Sequence, residues 1–239
     1  MKYMMVISYD GSKFYGFQRQ NNVRNVQGYL ENILSKELNE NIIIKGAGRT
    51  DRGVHALGQV VHFETDKNII GLKRKLNTIL EDCKIKKLKQ VSSVFHARHS
   101  VKSKIYLYKI DLSNKKDSNY YLNVHYKLNI KKMKNAAKLF EGYHNFKNFV
   151  AGNRLDYQTY IKRVKVYRHK NTLFIKFQGV GFYRYMVRNL VGALLEVGKD
   201  KIKQNVIEEM LNNPDKEKRL TTVSPNGLYL VKIYYKKMK

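Results

Sequence analysis

Only one cysteine, two prolines and 19 acidic residues occur in this chain of 239 residues. A single thiol, Cys83, excludes an intramolecular disulfide and points to a reducing, cytoplasmic setting. Scarce proline and the lack of any low-complexity segment point to a chain folded throughout. No apolar run approaches the roughly 20 residues of a membrane span. The opening MKYMMVISYD is too short for the apolar core of a secretory signal, so no membrane insertion is expected. Against the 19 acidic residues stand 47 lysines and arginines, a net charge of +28. That excess fits a polyanionic partner, above all nucleic acid. An anionic membrane surface or a lysine-rich compositional bias would give the same sign.

KYMMVISYDG reads as a strand that ends in a turn at Asp10 and Gly11. Asn25 is placed to cap a helix in which Val26, Leu30, Ile33, Leu34 and Leu38 recur at helical spacing. NIIIKG is a short apolar strand, and GQVVHFET alternates like another. Leu72, Leu76, Ile79 and Leu80 mark a second helix, and KIYLYKID sets Tyr106 and Tyr108 on one face of a strand. The second part repeats this texture. A helix around Met133, Ala136, Ala137 and Phe140 ends near Gly142, and strands follow at IKRVKVYRH and TLFIKFQG. YRYMVRNLVGALLEVG places Val187, Leu190, Val191, Leu194 and Leu195 on one helical face, with Gly198 as its stop. A helix carrying Ile202, Val206, Met210 and Leu211 precedes a last strand, LYLVKIYYKK. Such mixing predicts an α+β fold with a mainly antiparallel sheet. Two similar halves are expected, residues 1–104 and 105–239, with the polar loop LSNKKDSN, near 112–119, at the transition.

GAGRTDRGVHALGQVVHF, residues 46–63, is the stretch with chemical content. Gly48 and Gly53 have part of a phosphate-loop spacing, but Val54 and His55 stand where Lys and Ser or Thr belong. A dinucleotide fingerprint fails too, because Asp51 takes the place of the third glycine. What remains is one carboxylate between Arg49 and Arg52, on a backbone that Gly46, Gly48 and Gly53 allow to turn tightly beside a ligand. Neighbouring cations keep a buried carboxylate ionised, and an ionised, aimed aspartate can act as nucleophile or base toward a sugar carbon. Spacing alone is equally that of a surface turn with a salt bridge. Among the histidines, His96 and His99 are three apart, and His55 and His62 flank the loop. They bring no thiolate or carboxylate cluster at ligand spacing, so no metal site is expected. Cys83, near a helix end, reads as inert.

The loop resembles the catalytic signature of the TruA family of tRNA pseudouridine synthases. YDGSKFYGFQRQ with VQGYLE, then VFHAR, KIYLY, LFEGYHNF, GFYRYMVRNLVGALLEVG and PNGLYL follow in that family's order along the whole chain. Two positions depart from its pattern: Asn145 stands where the family usually has Asp, and His99 where it usually has an aromatic. The resemblance implies two α+β halves sharing an extended, mainly antiparallel sheet, with a central RNA-binding cleft. It implies isomerisation of uridine at positions 38 to 40, in the anticodon stem-loop of tRNA, by a cytoplasmic homodimer. The C1′–N1 bond breaks, the uracil turns and rejoins through C5, so no cofactor is needed.

By resemblance Asp51 is the essential carboxylate, Arg188 the cation that pairs with it, and Tyr106 the ring that stacks on the extruded uracil. Arg49 contacts or replaces the flipped base, and Arg98 grips the flanking backbone, beside Phe95, His96 and His99 of the same segment. Leu228 walls the uracil pocket. The plainer roles remain open for several of them: Tyr106 and Leu228 as core residues, Arg98 as a generic phosphate contact, and Tyr108 as a weaker stacking candidate. The same chemistry on another structured RNA, such as ribosomal RNA, or a non-catalytic RNA binder on this scaffold, are the alternatives.

Overall fold

A computed structural model describes residues 1–215 and 220–236, in two compact units. The first contains β1 (Lys2–Tyr9), α1 (Val26–Leu38), β2 (Lys45–Gly46), β3 (His55–Glu64), α2 (Leu72–Ile79) and β4 (Cys83–Gln90). β1 lies between β3 and β4 and is antiparallel to both. Alternation holds in the second half of β1, where Ile7 and Tyr9 are buried and Val6 and Ser8 are not, whereas β3, expected to alternate, is buried at every residue from Gly58 to Phe63, so both of its faces are covered. α1 starts where its cap predicts, with the Asn25 side chain accepting from Gly28 N at 2.8 Å. Asn39 ends it in the left-handed region, and Leu30, Leu34 and Leu38 are buried.

The apolar run Ile42–Ile44 is buried at Ile42 and Ile44 but forms little strand. Its amides are taken by α1 instead: Ile42 N donates to Ser35 Oγ and Ile44 N to the buried Glu31 Oε1. Only Lys45 and Gly46 pair with β3. Side-chain acceptors on a helix have replaced a neighbouring strand, which hydropathy cannot distinguish.

The second unit is built from β5 (Val101–Asp111), β6 (Leu122–Asn123), α3 (Ile130–Lys138), β7 (Gly142–Asn145), β8 (Gln158–His169), β9 (Thr172–Gly179), α4 (Met186–Gly198) and α5 (Gln204–Asn212). Its strands run in the order β5-β9-β8-β7, all antiparallel, with β6 parallel to β5. α3 packs on β8, α4 and α5. α4 is buried along its whole length except at Arg188 and Asn189. Arg188 and Asn189 are thus the half-exposed polar pair near the start of a helix whose other polar side chain, Glu196, is buried.

The chain passes from one unit to the next between Lys102 and Ser103, inside β5. The last strand, β10 (Leu228–Tyr235), returns to the first unit from Tyr229 onward, where Tyr229 and Leu230 pair in parallel with His55 and Ala56 of β3. The stretch 105–239 is therefore divided between the units, and Lys237 of its expected last strand lies outside the described residues. The loop at 112–119 is no boundary either. Asp111, fully buried, accepts from the amides of Ser113, Lys115 and Lys116 and from the Ser113 hydroxyl, which folds this polar segment back into the second unit.

Candidate active site

Residues 47–54 form no helix or strand, yet their backbone is tied down on three sides. Ala47 N donates to Val60 O at 2.8 Å, and Gln59 Nε2 donates to Gly48 O at 2.8 Å, both from β3. Thr50 Oγ1 lies 2.8 Å from the hydroxyl of Tyr9, at the end of β1. Phe17 N donates to Thr50 O at 3.0 Å, and Val54 N to Asp51 O at 3.1 Å. Burial pushes the Tyr9 phenol pKa up, so this anchor stays neutral. Asp51 is half-buried at the apex, and Arg49 is exposed beside it.

The glycines divide their tasks differently from what spacing suggests. Gly53, at φ +81°, takes the turn after Asp51. Gly46 faces the Phe17 ring, whose Cε1 would lie 2.5 Å from an added Cβ, so its close neighbour is the chain itself rather than a ligand. Gly16, outside the motif and missed in the sequence, has φ +86° and lies so near the loop that an added Cβ would stand 3.0 Å from Thr50 O. Gly11 is equally close-packed: a Cβ there would lie 2.2 Å from Val54 O. YDG and YGF thus serve the Asp51 loop by admitting backbone against backbone. Arg52 lies over the Tyr15 ring, 4.1 Å from its centroid, and so holds this same flanking segment.

The FHARH segment sits in the same unit, organised by histidine acceptors. His62 Nδ1, on β3, accepts from Ala97 N at 3.1 Å, and His96 Nδ1 accepts from Arg98 N at 3.1 Å and His99 N at 3.3 Å. The rings of His62, His96 and His99 form a row, with centroids 4.8 and 4.2 Å apart. Phe95 is buried against His62 and Tyr235, whereas Arg98 and His99 are exposed. Among the described residues no group of three or more histidine, cysteine, aspartate or glutamate side chains is placed to hold a metal ion. Burial, reinforced by His96, Lys2 and Lys45, pushes the His62 pKa down to about 4 against the opposing pull of Glu64. Burial also lowers that of His96, with His99 adding to it.

A histidine neutral when folded but near 6.5 when unfolded makes the unfolded chain the better proton binder below that pH. Stability therefore falls as pH drops from about 6.5 toward 4, and is fully present above. In an NMR titration the His62 ring should show a midpoint near 4. A midpoint above 6 would mean that Nδ1 is not the acceptor that holds Ala97.

The second unit gathers its own candidates. Tyr106 is 8% exposed on β5, with the Phe182 ring edge-on at 5.1 Å. Tyr108, two residues along the same face, is fully buried and donates its hydroxyl to Ser224 O. That bond makes Tyr108 a structural residue. Arg188 Nε donates to Val223 O at 2.7 Å, and its guanidinium lies 4.5 Å from the centroid of the Tyr185 ring. Tyr185, at φ +61°, is a strained aromatic directly before α4, and it went unnoticed in the sequence. Leu228 is buried, its amide donating to Pro225 O at 2.9 Å, beside the Val223–Ser224 segment. Cys83 is buried, with its thiol pKa pushed up to about 12, and stays protonated.

Within one unit, then, a loop with a single carboxylate between two arginines is held by backbone contacts, and within the other a guanidinium near a helix start lies beside an aromatic ring. The family model described as tRNA pseudouridine synthase matches residues 5–100 and 136–236, and the chain belongs to that family. A protein named tRNA pseudouridine synthase A from Pseudothermotoga lettingae is 40% identical, over 96% of this chain and 97% of that one. Proteins of the same name from Thermosipho melanesiensis and Shewanella piezotolerans are each 39% identical, over 98% of this chain and 99% and 93% of theirs.

Proposed function

We propose that this chain converts uridine to pseudouridine in the anticodon stem-loop of tRNA, with Asp51 as the catalytic carboxylate. Isomerisation of uridine in tRNA is the activity of its family. The observation that carries the assignment is the Asp51 loop: one carboxylate, in a chain of net charge +28, half-buried on a backbone fixed from β1, β3 and the Phe17 segment. Fixing a carboxylate where phosphates would otherwise favour cations is useful only if its charge meets a developing positive centre. Such a centre arises at C1′ when the C1′–N1 bond breaks. The uracil turns, C5 bonds to C1′ and loses its proton, and N1 gains one, so atoms and electrons balance without a redox partner. Asp51 can stabilise or attack C1′, or take a sugar proton. Tyr106 is the ring on which the uracil stacks, Arg188 the cation for Asp51, and Leu228 the wall of the pocket. Arg49 takes the place of the extruded base, while Arg98, with Phe95, His96 and His99, grips the flanking strand.

The single cysteine supports a cytoplasmic setting, and the likeness to TruA enzymes supports a homodimer, which equilibrium sedimentation checks. Among the described residues no helix is long and apolar enough to cross a membrane. Pseudouridine mapping of total RNA with and without this protein tests the reading. Loss confined to the anticodon stem-loop is expected, and loss only in ribosomal RNA would overturn it. Affinity for tRNA should fall steeply with salt, by about 0.9 in log K per log unit of salt for each duplex phosphate contacted. Affinity nearly independent of salt would mean that the charge is compositional bias.

A further inference from the structure

The second unit has a sheet face on the reverse side from Tyr106. β5 pairs Tyr106 with Phe177 but Leu107 with Lys176, and directly opposed residues of an antiparallel pair share a face. Across β9 and β8, Lys176 stands opposite Lys165, Gln178 opposite Arg163, and Phe174 opposite Tyr167. Tyr143 of β7 stands opposite Tyr160. The alternate residues Val164, Val166, Ile175 and Phe177 are buried, and α3 packs on β8. The helices cover the Tyr106 side, and the other side carries cations and aromatics.

We propose that this face is a second RNA-binding surface, which takes unpaired RNA outside the nucleotide being modified. Tyr143, Tyr160 and Tyr167 keep 65, 43 and 41% of their surface exposed, far more than packing requires of an aromatic. Tyr167 and Phe174 lie stacked, centroids 5.1 Å apart and planes within 16°, as a flat platform. Strands β7, β8 and β9 contain no aspartate or glutamate at all. Exposed rings interleaved with cations on an open sheet are what unpaired nucleotides need: stacking for the bases, charge for the backbone. A second copy of the chain is disfavoured as the occupant, because apposed copies of this face would bring Arg163, Lys165 and Lys176 against their own kind.

The proposal rests on the reading that this chain acts on RNA. Oligouridine and tRNA serve as probes for the intact protein. Tyr143→Ala/Tyr160→Ala should weaken both about tenfold. Lys165→Ala/Lys176→Ala should lower the salt slope for oligouridine by about 1.4, the value for two single-strand phosphates. Neither should change the single-turnover rate of pseudouridine formation at saturating tRNA. In the wild-type protein, oligouridine should protect Lys165 and Lys176 from acylation, a readout that needs no variant. Unchanged affinity and unprotected lysines would overturn the proposal. So would protection that follows protein concentration instead of RNA, with variants that sediment as smaller species, since the face would then join copies of the chain. Wild-type protein that makes no pseudouridine, yet shows the footprint and the affinity losses, would sink the catalytic reading and leave this surface standing.

Discussion

Asp51→Asn is expected to give a folded chain that binds tRNA and forms no pseudouridine. The fold should survive because the loop is anchored through Ala47 N, Gly48 O, Thr50 and the Asp51 carbonyl, none of which uses the carboxylate. Asparagine keeps the shape and loses the charge, and a charge that acts only as C1′ turns positive is lost from the transition state alone. A fall of at least about a thousandfold in rate, roughly 4 kcal/mol, is the size expected for the essential group. Binding should hold or tighten, since an anion near phosphates has been removed. Single-turnover pseudouridine formation, circular dichroism and filter binding separate the cases. Near wild-type activity would exclude the mechanism. An unfolded variant would reduce Asp51 to a brace of its turn.

Gly11→Ala should be nearly as damaging without touching a reactive group. The added methyl would lie 2.2 Å from Val54 O, 2.3 Å from Val54 C and 2.8 Å from His55 N, all backbone atoms with no rotamer to change. His55 Nδ1 also accepts from Gly11 N at 3.0 Å, so separating the two segments breaks a buried hydrogen bond. A loss of about 3 kcal/mol in stability is expected, the scale of overpacking plus one orphaned partner. In molecules that still fold, Val54 must move, and Asp51, three residues before it, moves with it. Misplacement of a catalytic group by about 1 Å costs on the order of a hundredfold in rate. Urea denaturation, with single-turnover kinetics at a temperature where the variant is folded, checks both. A variant with wild-type stability and rate would show that the Asp10–Gly11 turn is slack.

Residues that act over short range were legible from the chain alone. Asn25 caps its helix because an Asx side chain reaches only its own first turn, whereas the alternation read in β3 did not state a buried face, since residues 58–63 are buried on both. The roles proposed for Asp51, Tyr106 and Arg188 come from the family resemblance of the motifs that carry them, not from spacing. Residues whose partners are distant were not legible. Gly46 and Gly11 read as turn-formers and Gly16 drew no reading, yet Gly46 makes room for the Phe17 ring, and Gly16 and Gly11 for backbone at Thr50 and Val54. Tyr108, on the same face as Tyr106, was the weaker stacking candidate, and the carbonyl of Ser224 is what retires it into structure.

By itself the sequence determined the mixed fold, the positive charge and the family, because these are carried by composition, period and local order. Tertiary structure alone decided that β10 returns to β3, that 112–119 closes around Asp111, and that cations and tyrosines from β7, β8 and β9 meet on one open face. The physical reason is the same in each case. Period tells a residue which side to face, and hydrogen-bonding capacity tells it that a partner is required, but every backbone amide and every apolar side chain offers the same terms. Which one is met depends on all the others being placed at once.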